Sequence, residues 1–467
     1  MRIKPHTLPA LVAVASALWL SGCYAGYQGA VENMHAAIDA GDIPTALAEA
    51  NRALGVDEAH QMPRGTAEDT TLLLLERATL LQGLGRHEDA VRDFAEADKA
   101  MEILDLSQDD AGAVGEYLFS GDAGIYRAPP HEKLMVNTLA MISYMSLGDL
   151  EGARVEARRL GVLQKYFKDA APEELALYGL GSYLAGFVFE QSGDTEEALR
   201  YYMEAYDNGY DELAEQVAYL GERVGSGHDL VSRARVEAPS AAAPTRDEGE
   251  MLVIVQSGRV PYKQAERLPV GAFVVAPVAD ARWQMSPAER RRADSLVAEG
   301  VLKWINFPVL QRSPLPFRRF SVSVGSSRPD PQIFMDLEEC TIAAWEYDKD
   351  KLMFAAFTRM VARALAGNAT EAVAKGSKLD KQLFPGASAL LGAVVEGGLT
   401  AADTPDTRSW TLLPANIRVY RVKVDDGTHR IMARGSGGAS SRQSYEIEVP
   451  SGRYGVANFR FFASDAF

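Results

Sequence analysis

Small and apolar residues recur in a fixed phrase along the first half of the chain. Each phrase begins with a glycine and carries small or apolar residues 5, 9 and 12 positions later. This spacing places them on one stripe of a helix, and glycine readily takes the left-handed conformation that ends the preceding helix. The phrases start at Gly41, Gly85, Gly148 and Gly193. The pattern therefore predicts four helices, each entered through a tight turn.

A mostly apolar segment precedes each glycine and predicts a first helix. These segments are 31–39, 70–84, 131–147 and 173–192. The phrase resembles the second half of the tetratricopeptide repeat, which recurs about every 34 residues, whereas the glycines here are 44, 63 and 45 residues apart. The resemblance implies an irregular superhelix of hairpins over residues 31–224, with lengthened connections, because hairpins with one apolar side bury that side by stacking.

Such an array presents a concave groove lined by its first helices, and the fourth of these carries four aromatic residues. They are Tyr178, Tyr183, Phe187 and Phe189. Leucine and valine occupy the remaining sides of the same helix, which favours core packing over groove lining for each ring. After the array, glycines, small residues and two prolines predict a linker over 225–249.

Short strand patterns dominate residues 250–467. Continuous or alternating apolar runs predict strands at Met251–Val255, Ala272–Val278, Arg319–Val324, Ile417–Val424, His429–Ala433, Ser444–Val449 and Gly455–Phe461. Helices are predicted at 287–299 and 352–365. Short turns between the last four strands indicate a terminal antiparallel meander. The predicted fold class is α+β in two domains, a helical hairpin array followed by a β-rich domain with inserted helices.

The amino terminus has the order of features of a secretory signal. Arg2 and Lys4 precede an apolar run over 8–20, which is shorter than the roughly 20 residues of a membrane span. Leu20-Ser21-Gly22-Cys23 resembles the lipobox of bacterial lipoproteins. The resemblance implies cleavage between Gly22 and Cys23, fatty acylation of the Cys23 thiol, and a tether over 23–30. Tyr24 in place of aspartate implies an outer-membrane lipoprotein facing the periplasm. An ordinary signal peptide or an uncleaved anchor remains the alternative.

Composition narrows the range of partners. The formal net charge is −16, and loss of residues 1–22 removes two basic and no acidic side chains. A negative field repels phosphate, so nucleic acid is not an expected partner. The chain has two cysteines. With Cys23 acylated, Cys340 has no partner for an internal disulfide, and it is expected to be a small buried side chain.

Two further motifs resemble a family of bacterial lipoproteins, without an assigned reaction, that join helical repeats to a β-rich C-terminal domain. One motif is the loop Gly258-x-x-Pro261-x-Lys263, and the other runs from Asp406 through Arg408 and Trp410 to Pro414. Asp406, Arg408 and Trp410 form either a recognition patch or a structural corner. The corner is favoured, with Asp406 paired to Arg408 and Trp410 packed under the tail strands, because an arginine–carboxylate pair beside a buried ring commonly fixes a loop.

Motifs of catalysis are not found in the sequence. The seven histidines are scattered, Ser388 lacks the second glycine of a nucleophile elbow, and the loop 258–263 lacks the glycines of a phosphate loop. No cofactor or metal is expected. The predicted function is a lipid-anchored scaffold that binds envelope proteins during assembly or secretion. The alternative is a cell-wall or polysaccharide-processing enzyme with carboxylates in the cleft between the domains.

Overall fold

The computed structural model describes residues 22–65, 69–106, 126, 128–170, 178–239, 248–269, 304–347, 349 and 405–462. The predicted strand at 272–278, the predicted helices at 287–299 and 352–365, Ser388 and residues 1–21 lie outside these ranges. Within them, helical hairpins occupy the chain up to Glu237 and strands begin at Gly249. The predicted α+β class, with a helical array followed by a β-rich part, is confirmed.

Helices pair into hairpins along the first part of the chain. In order they are α1 (Gly22–Asp39), α2 (Ile43–Ala53), α3 (Thr70–Gly83), α4 (His87–Leu106), α5 (Pro130–Ser146), α6 (Leu150–Ala170), α7 (Tyr178–Gln191), α8 (Thr195–Asp207), α9 (Ala214–Val224) and α10 (Asp229–Glu237). Gly41, Gly85, Gly148 and Gly193 stand between the two helices of a hairpin with φ of 77°, 72°, 73° and 81°. The predicted glycine turns are therefore confirmed, because other residues rarely adopt this conformation.

The predicted buried stripes are also present. Ala46, Ala90, Ala153 and Ala198, each five positions after its glycine, are 0% exposed. The aromatic side chains Tyr183, Phe187 and Phe189 on α7 are fully buried as well. They belong to the core, as the apolar surroundings on that helix predicted.

Two segments predicted to be a linker and a tether contain helix. Residues 229–237, inside the predicted linker, form α10, whose Val231 and Ala234 are buried. Gly221 on α9 permits this contact, since a Cβ there would lie 2.4 Å from Cγ1 of Val231. The predicted tether over 23–30 is part of α1, because burial of Tyr27 against the array gives this stretch a fixed position.

The strands form three sheets. They are β1 (Gly249–Ser257), β2 (Tyr262–Pro269), β3 (Trp304–Gln311), β4 (Arg319–Val324), β5 (Ile333–Asp336), β6 (Asn416–Val424), β7 (Gly427–Ser436), β8 (Ser441–Val449) and β9 (Tyr454–Phe461). The sheet orders are β5-β6-β1-β9, β2-β3 and β4-β7-β8. Residues 337–347, directly after β5, are helical.

The predicted terminal meander is wrong in its strand order. β7 and β8 form an antiparallel pair, but β6 pairs antiparallel with one side of β1, and β9 pairs parallel with the other. The physical reason is the apolar character of β1, which is buried on both faces and takes a neighbouring strand on each edge. Turn lengths alone do not reveal such long-range pairing.

β1 lies at the centre of three layers. Leu252 and Ile254 pack in the core shared with the helical array, while Met251, Val253 and Val255 pack against the sheet that contains β4, β7 and β8. The first sheet is thus covered by helices on one face and by a second sheet on the other. This arrangement brings the chain around residue 410 against the first helices of the array.

Candidate functional site

Residues 405–412, here called the docking segment, lie along the first helices of the first three hairpins. Side chains of α1, α3 and α5 hold this segment largely through its main chain. The segment leads directly into β6. The helical face that was expected to form an open groove is therefore occupied by the protein's own chain.

Glu76 on α3 is the central acceptor of this contact. Its side chain is 0% exposed and accepts the peptide N–H groups of Thr411 at 2.7 Å and Leu412 at 2.9 Å. The Thr411 hydroxyl donates a third bond of 2.8 Å. Burial raises the pKa of Glu76, these hydrogen bonds lower it, Glu132 raises it again, and the resulting pKa is about 8.

Glu132 on α5 supplies the second buried carboxyl group. It accepts the N–H of Trp410 at 2.9 Å, and the hydroxyl of Tyr126 donates to its other oxygen. Tyr27 on α1 donates its hydroxyl to the carbonyl of Ser409 at 2.8 Å. Burial raises the pKa of both tyrosines well above the usual value, so their hydroxyls stay protonated as donors.

Trp410 lies inside the array and not under the tail strands, where it was predicted. Its side chain is 0% exposed, and its indole N–H donates to Oγ1 of Thr79 at 3.0 Å. The ring centroid is 6.0 Å from that of Phe94. An indole has a large apolar surface and one hydrogen-bond donor. In the array, the ring of Phe94 packs near that surface and Thr79 accepts the hydrogen bond.

Arg408 joins the docking segment to the start of α3. It is 3% exposed and donates to both oxygens of Asp406, at 3.0 and 2.9 Å, and to Asp69 at 2.9 Å. Burial lowers the pKa of Arg408, but Asp406 and Asp69 more than offset this effect and the pKa is raised. The pairing of Asp406 with Arg408 was predicted, whereas the partner Asp69 was not.

Two further polar contacts reach the docking segment from α1. Gln28 donates to the hydroxyl of Thr407 at 2.6 Å, and Nε2 of His35 lies 2.9 Å from Oγ1 of Thr411. Burial, with the nearby charge of Arg259, lowers the pKa of His35 to about 3. The imidazole is consequently neutral at pH values well above that.

α7, the first helix of the fourth hairpin, is covered by the sheet. Arg421 on β6 forms ion pairs with Glu250 at 2.7 Å and with Glu190 on α7 at 3.0 Å. Tyr183 on α7 donates to Gln332 at 3.0 Å. Together with the docking segment, these contacts bind the face of the first helices to the β-rich part along the first four hairpins.

Sequence reasoning missed Tyr27, Asp69, Glu76 and Glu132 as partners of the docking segment. A usable signal existed for Glu76, which stands with Arg77 inside an otherwise uncharged, leucine-rich helix. Charged side chains in such a position require partners when they are buried. Arg77 meets this requirement within the array, through Asp93 at 2.6 and 2.9 Å.

The chemistry of this site is that of a clamp on polypeptide main chain. The carboxyl groups of Glu76 and Glu132 accept hydrogen bonds from the protein's own N–H groups, and the enzyme alternative stays a prediction. Among the described residues, no group of three or more histidine, cysteine or acidic side chains is placed to hold a metal ion. No helix in those ranges has both the length and the hydrophobicity required to cross a bilayer. Cys340 is partly buried against the core.

Comparisons with known proteins add little. No family model matches the sequence, and no curated protein sequence matches it. Among solved structures, the chain is similar to the Rap conjugation gene regulator of the plasmid pLS20 in complex with the Phr* peptide, with 10% identity and a TM-score of 0.25. The likeness covers 79% of this chain and 72% of that chain. At this TM-score it carries no argument about function.

Proposed function

We propose that the protein is a lipid-anchored scaffold of the cell envelope that binds other envelope proteins through the outer side of its helical array. The observation that carries the proposal is a row of exposed apolar side chains on α6. Val155, Val162 and Tyr166 are 47%, 70% and 58% exposed. Their spacing of seven and four residues puts them on one face of the helix. Contiguous apolar patches on a surface commonly mark protein interaction sites.

Basic side chains flank this α6 row. Arg158, Arg159 and Lys165 are exposed, and Arg159 pairs with Asp98 at 2.8 Å. The matching surface on a partner would combine an apolar centre with acidic side chains around it. The net charge of this chain is negative, whereas the side chains beside the row are basic. This local positive charge would orient an acidic partner.

The docking segment supports the scaffold role in a different way. It fixes the β-rich part to the array through buried hydrogen bonds, so the outer face is presented on one connected body. The first helices are used for this internal contact and leave the second helices, including α6, for external ones. An anchor on Cys23 would confine this body to a membrane surface and raise its effective concentration toward partners held there.

Site-specific photocrosslinking in cells tests the α6 row. We expect a photoreactive amino acid at Val162 or Tyr166 to capture a defined envelope protein, because both side chains are exposed within the row. Val236 at the end of α10 is 81% exposed and serves as the matched apolar control. Equal capture from all three positions, or none from the α6 positions, would count against a specific interface.

Metabolic labelling with an alkyne fatty acid tests the anchor. We expect label on the wild-type chain and on Cys340→Ser, and loss of label in Cys23→Ser. The two cysteines are the whole complement of the chain, so the pair of variants assigns the modified thiol. Label that persists in Cys23→Ser would refute the lipoprotein assignment and leave the α6 interface as a separate question.

A further inference from the structure

A cavity of about 550 Å³ lies between the helical array and the β-rich part. The turns between α3 and α4 and between α5 and α6 form one side, and β8 with β9 forms the other. Its lining includes His87, Gln191, Tyr445, Tyr454, Val456 and Asn458. A volume of this size matches the range of about 300–1,000 Å³ that small-molecule sites occupy.

The lining residues carry buried polar atoms that have no partner within the described part of the chain. Nδ1 of His87, the hydroxyl of Tyr454 and Nδ2 of Asn458 form no hydrogen bond with any atom of the chain that the structure describes. Asn458 is only 6% exposed. Buried amide and hydroxyl groups are nearly always hydrogen-bonded. These three atoms lie just behind the wall of one cavity, so a ligand that displaces the lining side chains slightly would supply their missing partners.

A chain of side-chain amides orients the innermost of these groups. Nε2 of Gln256 on β1 donates to Oδ1 of Asn458 at 2.9 Å and to Oε1 of Gln82 at 2.8 Å. Gln82 in turn donates to the carbonyl of Leu139 and to the hydroxyl of Ser143, both at 2.7 Å. These contacts occupy the oxygen of Asn458 and fix its amide, which leaves its NH₂ group as a positioned donor.

Neutral, aromatic and charged groups make up the rest of the lining chemistry. Burial lowers the pKa of His87 to about 4, so its ring is neutral near pH 7. The ring of Tyr454 meets Phe187 edge to face, with centroids 5.7 Å apart. Glu446, Glu448 and Arg453, all exposed, also line the cavity, and their excess of one negative charge disfavours an anionic ligand.

We propose that this cavity binds a neutral saccharide unit. A sugar ring carries several hydroxyls, each both donor and acceptor, which match the amide of Asn458, the hydroxyl of Tyr454 and the free ring nitrogen of His87. Its apolar face suits the two tyrosine rings. This site is separate from the α6 row and from the anchor, and it gives the protein a second means of attachment, to glycan material.

Calorimetric titration of the full chain in detergent tests the proposal. The probes are N,N′-diacetylchitobiose and cellobiose, and the comparison ligand is inorganic phosphate, which shares hydrogen-bonding capacity but carries charge. We expect saturable binding of at least one disaccharide and none of phosphate. Absence of binding by both disaccharides at the highest soluble concentration, or equal binding of phosphate, would overturn the proposal.

Tyr454→Phe places the binding in this cavity. The substitution removes a single hydroxyl that has no partner among the described residues, so the melting temperature should stay the same or rise. Affinity for the disaccharide should fall by about tenfold, the effect of one lost hydrogen bond. Tyr219→Phe, on α9 away from the cavity, is the matched control and should change neither quantity. Undiminished affinity in Tyr454→Phe would show that the sugar binds elsewhere and would refute the site.

Discussion

The docking segment and the cavity are two polar contacts between the same two parts of the molecule, and they differ in how their buried groups are satisfied. Around the docking segment, Glu76 and Glu132 accept the peptide N–H groups of three consecutive residues. Around the cavity, Tyr454 and Asn458 each keep one buried polar atom without a partner among the described residues.

The difference separates a structural contact from a receptive one. A buried polar group left without a hydrogen bond costs about 1–3 kcal/mol of stability. The peptide N–H groups of Trp410, Thr411 and Leu412 avoid this cost, although Oγ of Ser409 in the same segment has no partner among the described residues. The bonds to these N–H groups join the array to the β-rich part. The unpartnered groups of Tyr454 and Asn458 at the cavity carry this cost, which hydrogen bonds to a bound ligand would remove. Stability measurements on single variants should therefore respond strongly at the first contact and weakly at the second.

Glu76→Ala should produce the largest loss of stability. The substitution leaves the N–H groups of Thr411 and Leu412 buried without their acceptor, and we expect a loss of about 3–5 kcal/mol in the free energy of unfolding. Urea denaturation followed by circular dichroism measures it. Glu151→Ala on α6, whose carboxylate belongs to a side chain that is 82% exposed, should change stability by less than about 0.5 kcal/mol. A small loss for Glu76→Ala would mean that the docking segment is not a structural contact.

The pH dependence of stability should reveal the same carboxyl. The pKa of Glu76 is raised from 4.5 to about 8, so above pH 4.5 the unfolded chain releases this proton more readily than the folded one. The corresponding stability is fully present below pH 4.5 and is lost as pH rises through about 8. In Glu76→Gln the group cannot titrate, and this part of the slope should disappear. Identical slopes for the two proteins between those pH values would contradict the raised pKa.

Arg408→Ala should have the next largest effect. It removes the charged hydrogen bonds to Asp406 and Asp69, and these two carboxylates then repel each other without the cation between them. We expect a loss of about 2–3 kcal/mol in the free energy of unfolding. Melting temperature should fall while crosslinking from Val162 stays unchanged, because the α6 row is separate from the docking segment. Lost crosslinking with an unchanged melting temperature would instead identify Arg408 as part of a recognition patch.

The features that the sequence predicted correctly are local ones. The hairpins follow from a glycine turn and from apolar spacing within some 15 residues, and the pairing of Arg408 with Asp406 spans two positions. Strand positions in the tail likewise follow from alternation within each strand. In all these cases the interacting residues are close in sequence, so their spacing carries the information.

The features that could not be predicted from the sequence depend on residues far apart in the chain. Trp410 and Thr79 are 331 positions apart, and Arg408 and Asp69 are 339 apart. No local spacing encodes such a contact. The position of β9 beside β1 was missed for the same reason. The helix α10 is a different case, because its buried Val231 and Ala234 form a local pattern that proline and alanine residues nearby obscured.

His87 at the cavity should give the smallest effect, and its sign is opposite to that of Glu76. Burial lowers its pKa from 6.5 to about 4, so below pH 6.5 the unfolded chain takes up a proton that the folded chain refuses. The stability this contributes is present above pH 6.5 and is lost as pH falls through about 4.

His87→Gln should leave stability near pH 7 almost unchanged, because Nδ1 forms no hydrogen bond with the described residues, and should reduce the loss in acid. The reduction is partial, since the pKa of His35 is lowered too. His60→Gln, at an exposed position, is the control. A marked loss for His87→Gln near pH 7 would show that this side of the cavity is a structural contact like the docking segment.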